Sequence, residues 1–410
     1  MTRRLLWRTE LRLDLQGGCI GAVGDEAWLF ICARSLDGLA GHVIALDPHG
    51  RERWRHTYEE PGGSCQVSVQ PHYVVVGQAG QLVYGHTRVP GDPAQATRHI
   101  ALVDPAGGFA RWTWVDPGAH GLNRDVALLP DGGVLAGPHD CLVALDPVSG
   151  AERWRYADGV RVCWGASALA DLDGNGCAEI VFGTEWGSAD GSSALIALTT
   201  AREELWRREG FVGDLGSTAT FDVDVDGDGQ PEIAHVELDL EGRVGLERSR
   251  LLLLDRAGAL LAELPFGGAE LAVADWDDDG HVEAVGATVR RDGGCANVPE
   301  IVCLDLTAAT VKWRTPLPRW WLANWPVLAD LDGDGWLEAV VGAGNPNGYG
   351  RLPGEAPWGD LYVLRCDGSL FGLISRNGAW SLCQLPLPSE GRFGLACLWG
   401  DGRVELHVWE

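Results

Sequence analysis

Apolar and polar positions along this chain alternate in short runs broken by Gly, Pro and Asp. "VIALDPHGRERWRH" from Val43, "IALVDPAGGFARWTW" from Ile100 and "LVALDPVSGAERWRY" from Leu142 share one plan. Each is an apolar strand, a tight turn and a second strand carrying Trp, so each predicts a hairpin. The plan returns in "LIALTTAREELWRRE" from Leu195, "LLLLDRAGALLAELP" from Leu251, "IVCLDLTAATVKWRT" from Ile301 and "LYVLRCDGSLFGLIS" from Leu361.

A second pattern is interleaved with the first. "ADLDGNGCAEIVFGT" begins at Ala170, "VDVDGDGQPEIAHVE" at Val223, "ADWDDDGHVEAVGAT" at Ala274 and "ADLDGDGWLEAVVGAG" at Ala329. Their first aspartates, Asp171, Asp224, Asp275 and Asp330, lie 51 to 55 residues apart. A fixed period of that length marks a repeat architecture. The N-terminal "LLWRTELRL" matches only a Trp-bearing strand, around Trp7, and "GRFGLACLWGDGRVELHVWE" matches only the aspartate hairpin. Together they make most of one unit, as in a ring closed by its two ends. Outer strands are expected near Trp7, Trp54, Trp112, Trp154, Trp206, Leu264, Trp313 and Phe371, giving eight units of about 51 residues. The expectation is all-β: one domain over residues 1–410, an eight-bladed β-propeller with four-stranded blades. Residues 1–13 and 379–410 share the closing blade, and seven blades is the alternative.

The aspartate loops resemble FG-GAP (VCBS-type) repeats of integrin-like propellers. The Trp-bearing hairpins resemble the tryptophan-docking repeats of quinoprotein-like propellers. These resemblances cover nearly the whole chain and imply the fold; they leave function open, because one fold hosts many sites.

Positions 1, 3, 5 and 9 of each loop carry oxygen ligands. They are Asp171, Asp173, Asn175 and Glu179; Asp224, Asp226, Asp228 and Glu232; Asp275, Asp277, Asp279 and Glu283; Asp330, Asp332, Asp334 and Glu338. So many carboxylates in nine residues repel one another unless a cation lies among them. Ca²⁺, which takes six to eight hard oxygens, fits, and about four structural calcium ions are expected. The glutamate sits at position 9 and a strand follows, unlike an EF-hand. A fifth loop, "CLWGDGRVE", has Cys397 and Trp399 at positions 1 and 3 and is expected to bind no metal.

With strands a to d counted outward from the axis, the acidic loops and tight turns fall on one edge of the ring. The long connections fall on the other, at the mouth of the channel, where binding is expected. "PRWWLANWPVL" from Pro318 brings Trp320, Trp321, Asn324 and Trp325 there, and Trp164 holds the matching place in its blade. Such a rim suits sugar rings, apolar polycycles or cations. His120, Arg124 and Asp125 are polar candidates on the same edge, and Asp214 and Glu270 are a candidate acid/base pair.

Composition narrows the partners. A formal charge of -26 disfavours nucleic acid and anionic membranes. Eleven cysteines with no CxxC pair read as reduced thiols, and no signal peptide is legible, so a cytoplasmic monomer is expected. The absence of a vicinal cysteine pair weakens a quinone-dependent dehydrogenase. Three functions remain: binding of a small molecule or glycan in the mouth, with catalysis left open; a lyase of rhamnogalacturonan-lyase type or a cyclase acting on an apolar substrate; or a protein-interaction scaffold.

Overall fold

The structure is a computed structural model that describes residues 3–67, 72–76, 79–117, 123–138, 140–157, 167–184, 193–211, 220–237, 249–268, 271–291, 297–317, 326–345, 358–376, 379–387 and 392–409. Its strands form eight antiparallel sheets, so the chain is an eight-bladed β-propeller rather than a seven-bladed one. The helical content among the described residues is the 3-10 turn Pro93–Gln95, and no helix is long and apolar enough to cross a membrane.

Blade 1 comprises Asp14–Val23, Glu26–Arg34, Ala40–Leu46 and Glu52–Glu59, hydrogen-bonded in that order. Blades 2 to 7 begin at Ser64, Asn123, Ala168, Thr220, Ala272 and Val327. The inner strand of blade 2 is split into Ser64–Val67 and His72–Val76, both paired with Ala79–Val89. Blade 8 takes Ala379–Leu387, Arg392–Trp399 and Arg403–Trp409, with Arg3–Glu10 as its outer strand. That outer pairing runs from Arg3 opposite Trp409 to Glu10 opposite Arg403, and it closes the ring. The first strands of blades 7 and 8, and of blades 8 and 1, are in contact, which places them innermost.

The apolar runs follow from this packing. Ile44 and Leu46 face blade 8, in a core with Leu385, Leu398 and Leu406. Val43 and Ala45, pointing the other way, pack with Leu82, Tyr84 and Val103 of blade 2. A strand buried on both faces needs an unbroken apolar run, whereas an outer strand such as "ERWRHTYE" alternates.

Indoles lock neighbouring blades. Trp7 Nε1 donates to Pro48 O at 2.8 Å, and Trp54, Trp112, Trp154, Trp206 and Trp313 do the same to Pro105, Pro147, Thr200, Arg256 and Cys366. Each indole belongs to an outer strand and lies on the turn between the last two strands of the next blade. Under Trp7 the turn needs glycine: Gly50 has φ +73°, and a Cβ on it would lie 2.5 Å from the Trp7 ring, whereas the turn under Trp154 has Arg202 at φ 75°. The outer strands expected near Leu264 and Phe371 are Leu260–Pro265 and Leu370–Arg376, and at the register place of the tryptophans they carry Ala262, opposite Leu253, and Gly372, opposite Val363. Neither carries a docking ring.

The nine described cysteines are free, and six of them are buried. Burial pushes the Cys65 thiol up to about 11 and Cys383 to about 12, so both are protonated, inert packing groups. Burial acts the opposite way on histidine: it lowers His235, fully buried in blade 5, to about 3. Unfolded histidine titrates near 6.5, so between pH 6.5 and 3 the unfolded chain takes a proton that the folded one refuses. Stability from this residue is complete above pH 6.5 and lost as pH falls. The gap between wild type and His235→Leu should therefore shift in the variant's favour by roughly 3 kcal/mol between pH 7 and pH 4, read by urea unfolding. A gap that ignores pH would show that His235 is not held neutral.

Candidate functional site

The four aspartate loops join the first two strands of blades 4, 5, 6 and 7 and repeat one hydrogen-bond plan. The position-9 glutamate accepts from the position-2 N–H: Leu172 to Glu179 at 2.8 Å, Val225 to Glu232, Trp276 to Glu283 and Leu331 to Glu338 at 2.9 Å. The position-1 aspartate accepts from the glycine at position 6, as Gly176 does to Asp171 at 2.8 Å and Gly335 to Asp330 at 3.0 Å. That glycine has positive φ in every loop, from 80° at Gly229 to 94° at Gly335. One oxygen of each glutamate is thus fixed by backbone, and in blades 4, 5 and 7 the glutamate also lies beside two loop aspartates.

Electrostatics leave these loops short of positive charge. Burial, with Asp332, Asp334 and Asp330 nearby, pushes Glu338 up to about 7. Glu179 and Glu232 are raised by burial and their own loop aspartates. The buried Asp171 Oδ1 has no hydrogen-bond partner. Carboxylates held this way take up either a proton or a cation. Three groups could hold a metal ion in this fashion: Asp171, Asp173 and Glu179; Asp224, Asp226 and Glu232; Asp330, Asp332 and Glu338. All offer oxygen, the donor set for a hard divalent cation. The position-5 residues bond locally: Asn175 donates to Asp173 at 2.8 Å, and Asp228 and Asp334 accept from the N–H two residues on.

The blade 6 loop differs. Its group is Asp275, Asp277 and Asp279, without Glu283. The chain's single lysine lies among these carboxylates. Lys312 Nζ lies 2.7 Å from Asp277, 3.1 Å from Asp279 and 3.0 Å from Glu283. Burial would lower its pKa, but the hydrogen bonds to Asp277, Glu283 and Asp279 outweigh that and hold the ammonium charged. Asp278, at φ 54°, stands where the other loops have glycine. In the fifth loop, Glu405 is fully buried and taken up by donors: Arg8 Nε at 2.8 Å and Trp399 Nε1 at 3.1 Å.

The mouth candidates His120, Trp164, Asp214, Glu270, Trp320, Trp321, Asn324 and Trp325 lie outside the described residues. Arg124 and Asp125 fall on the first strand of blade 3, where Asp125 pairs with Gly137. Sequence reasoning missed a buried cluster on the edge away from the acidic loops. Arg98, 1% exposed, reaches Asp116 at 2.6 Å and Asp140 at 2.8 Å, linking blades 2 and 3, and Arg155 adds a contact to Asp116 at 3.3 Å. The polar "TRH" before an apolar strand was the available signal.

A sequence profile for the family described as "Outer membrane protein assembly factor BamB" matches residues 1–158, a stretch holding the strands of Trp7, Trp54, Trp112 and Trp154. No protein of curated function matches the chain in sequence. Solved structures with the same fold include BBS1N in complex with ARL6DN, at 12% identity and a TM-score of 0.49, covering 99% of this chain and 96% of that one. The rhamnogalacturonan lyase YesW is similar at 12% identity and 0.41, covering 97% and 72%. The Vibrio cholerae biofilm matrix protein Bap1 is similar at 12% and 0.43, covering 100% and 91%. At these identities the likeness is one of fold, and its members include a lyase and proteins that bind others.

Proposed function

We propose that this protein is a calcium-stabilised propeller that binds a small molecule or glycan in an aromatic mouth of its central channel. The repeated loop geometry supports the calcium part: the same backbone-anchored glutamate beside the same aspartates, on one edge of the ring, in blades 4, 5 and 7. Bound there, Ca²⁺ supplies charge that the loops lack and ties the first two strands of a blade together. The residues that hold it are the aspartates at positions 1 and 3 and the glutamate at position 9.

An edge given over to structural loops leaves the opposite edge for ligand. There the sequence sets Trp164, Trp320, Trp321 and Trp325 with Asn324, and these differ from blade to blade, which favours one composite site over repeated ones. Trp321→Ala or Trp325→Ala removes stacking surface worth on the order of 1 kcal/mol, so affinity falls about five-fold. The measurement is an NMR or calorimetric titration with glycans and apolar polycycles, comparing wild type with the variants. A ligand that binds through the cation at Asp171 or Asp224 would show that the working edge is the other one.

A further inference from the structure

We propose that the blade 6 loop is not a metal site: Lys312 supplies its cation from within the chain. This rests on the calcium reading of the other three loops and sets the metal content at three ions per chain rather than four. An ammonium has three donors, and all three are spent here, on Asp277, Asp279 and Glu283, which are positions 3, 5 and 9 of the loop. These are the oxygens a divalent ion would need. Lys312 takes one oxygen of each of these carboxylates, leaving Asp277 Oδ1 buried and without a hydrogen-bond partner, and its ammonium repels a divalent ion brought among the same groups.

Two further observations agree. In blades 4, 5 and 7 the position-9 glutamate lies close enough to two loop aspartates to share an ion, and in blade 6 Glu283 is the member left out. The residue before the outer-strand register point opposite the third strand is Leu205 in blade 4, Leu261 in blade 5 and Phe371 in blade 7, but Lys312 in blade 6. Among the described residues, no lysine, arginine or histidine pairs with the carboxylates of the other three loops. The chain thus places its one lysine where a metal-type loop lies within reach.

The test is metal analysis of the full chain after loading with Ca²⁺ and desalting. Wild type should carry three ions and Lys312→Met four. In wild type, Asp277→Asn should leave the count at three while Asp332→Asn lowers it to two; this pair decides the matter if Lys312→Met does not fold. Four ions in wild type, falling to three with Asp277→Asn, would overturn the proposal, as would an unchanged count of three in a folded Lys312→Met. A count of zero throughout would fail the calcium reading instead. A separate arm then judges the lysine: in EDTA, Lys312→Met should melt several degrees below wild type, because its carboxylates have lost the ammonium that pairs with three of them. An unchanged melting temperature in EDTA would mean that Lys312 neutralises nothing.

Discussion

Stripping divalent cations with EDTA should lower the melting temperature of this protein by on the order of 10 °C, and added Ca²⁺ should restore it. An ion that binds the folded chain alone stabilises it by mass action, about 4 kcal/mol per site at a thousand-fold excess over Kd. Three loaded loops in one ring add up to a large fraction of a domain's net stability. The carboxylates account for the size of the effect. Glu338, held up to about 7 by burial and by its aspartate neighbours, is a poor anion without a cation. Mg²⁺ should restore less, because it keeps its own water and demands a tighter octahedron. An unchanged melting temperature, with metal loss confirmed by elemental analysis, would end the structural-calcium reading.

Glu405→Ala is expected to cost roughly 1–3 kcal/mol, measured by urea unfolding, because it takes the acceptor away from the buried Trp399 Nε1 and removes the ion pair of the half-exposed Arg8. Glu405 is fully buried in blade 8 and bonded by Arg8, which arrives on the strand that closes the ring. Trp399 Nε1 donates to the same carboxylate, and His407 Nε2 lies 3.1 Å from it. Glu405→Gln keeps the shape and some of these bonds, so its cost should be smaller. A loss under about 1 kcal/mol for Glu405→Ala would mean that closure rests on the strand pairing of Arg3–Glu10 alone.

The ring was legible in the sequence because its information is local and repeated. A strand buried on both faces writes itself as an apolar run, a glycine turn as "DPHG", and a period of 51 to 55 residues repeats across four loops. Features that depend on which side chain crosses to which loop were not legible. Lys312 lies 33 residues beyond Asp279, on an outer strand, and nothing in "TVKWRT" says where its ammonium goes. The sequence located the outer strand near Leu264 but not the bulge between Leu253 and Leu254, which puts Ala262 at the register place of the tryptophans. Arg98 was hidden for a different reason: its partners Asp116 and Asp140 sit on a strand end and in a connection of the next blade, which composition cannot pair.

The indole locks also determine what counts as a part of this molecule. Each lock has two halves, a ring from one blade and a turn from the next. Blade 8 has a chain break where its last turn would be, and blade 7 has Gly372 where its ring would be. Blade 6 has Ala308 and Ala309 in its turn, and blade 5 offers Ala262. Each lock therefore spans the boundary between one blade and the next, tying an outer strand to the turn that follows it in the ring. A graft between such rings would keep its seams only if it were cut through the middle of a sheet.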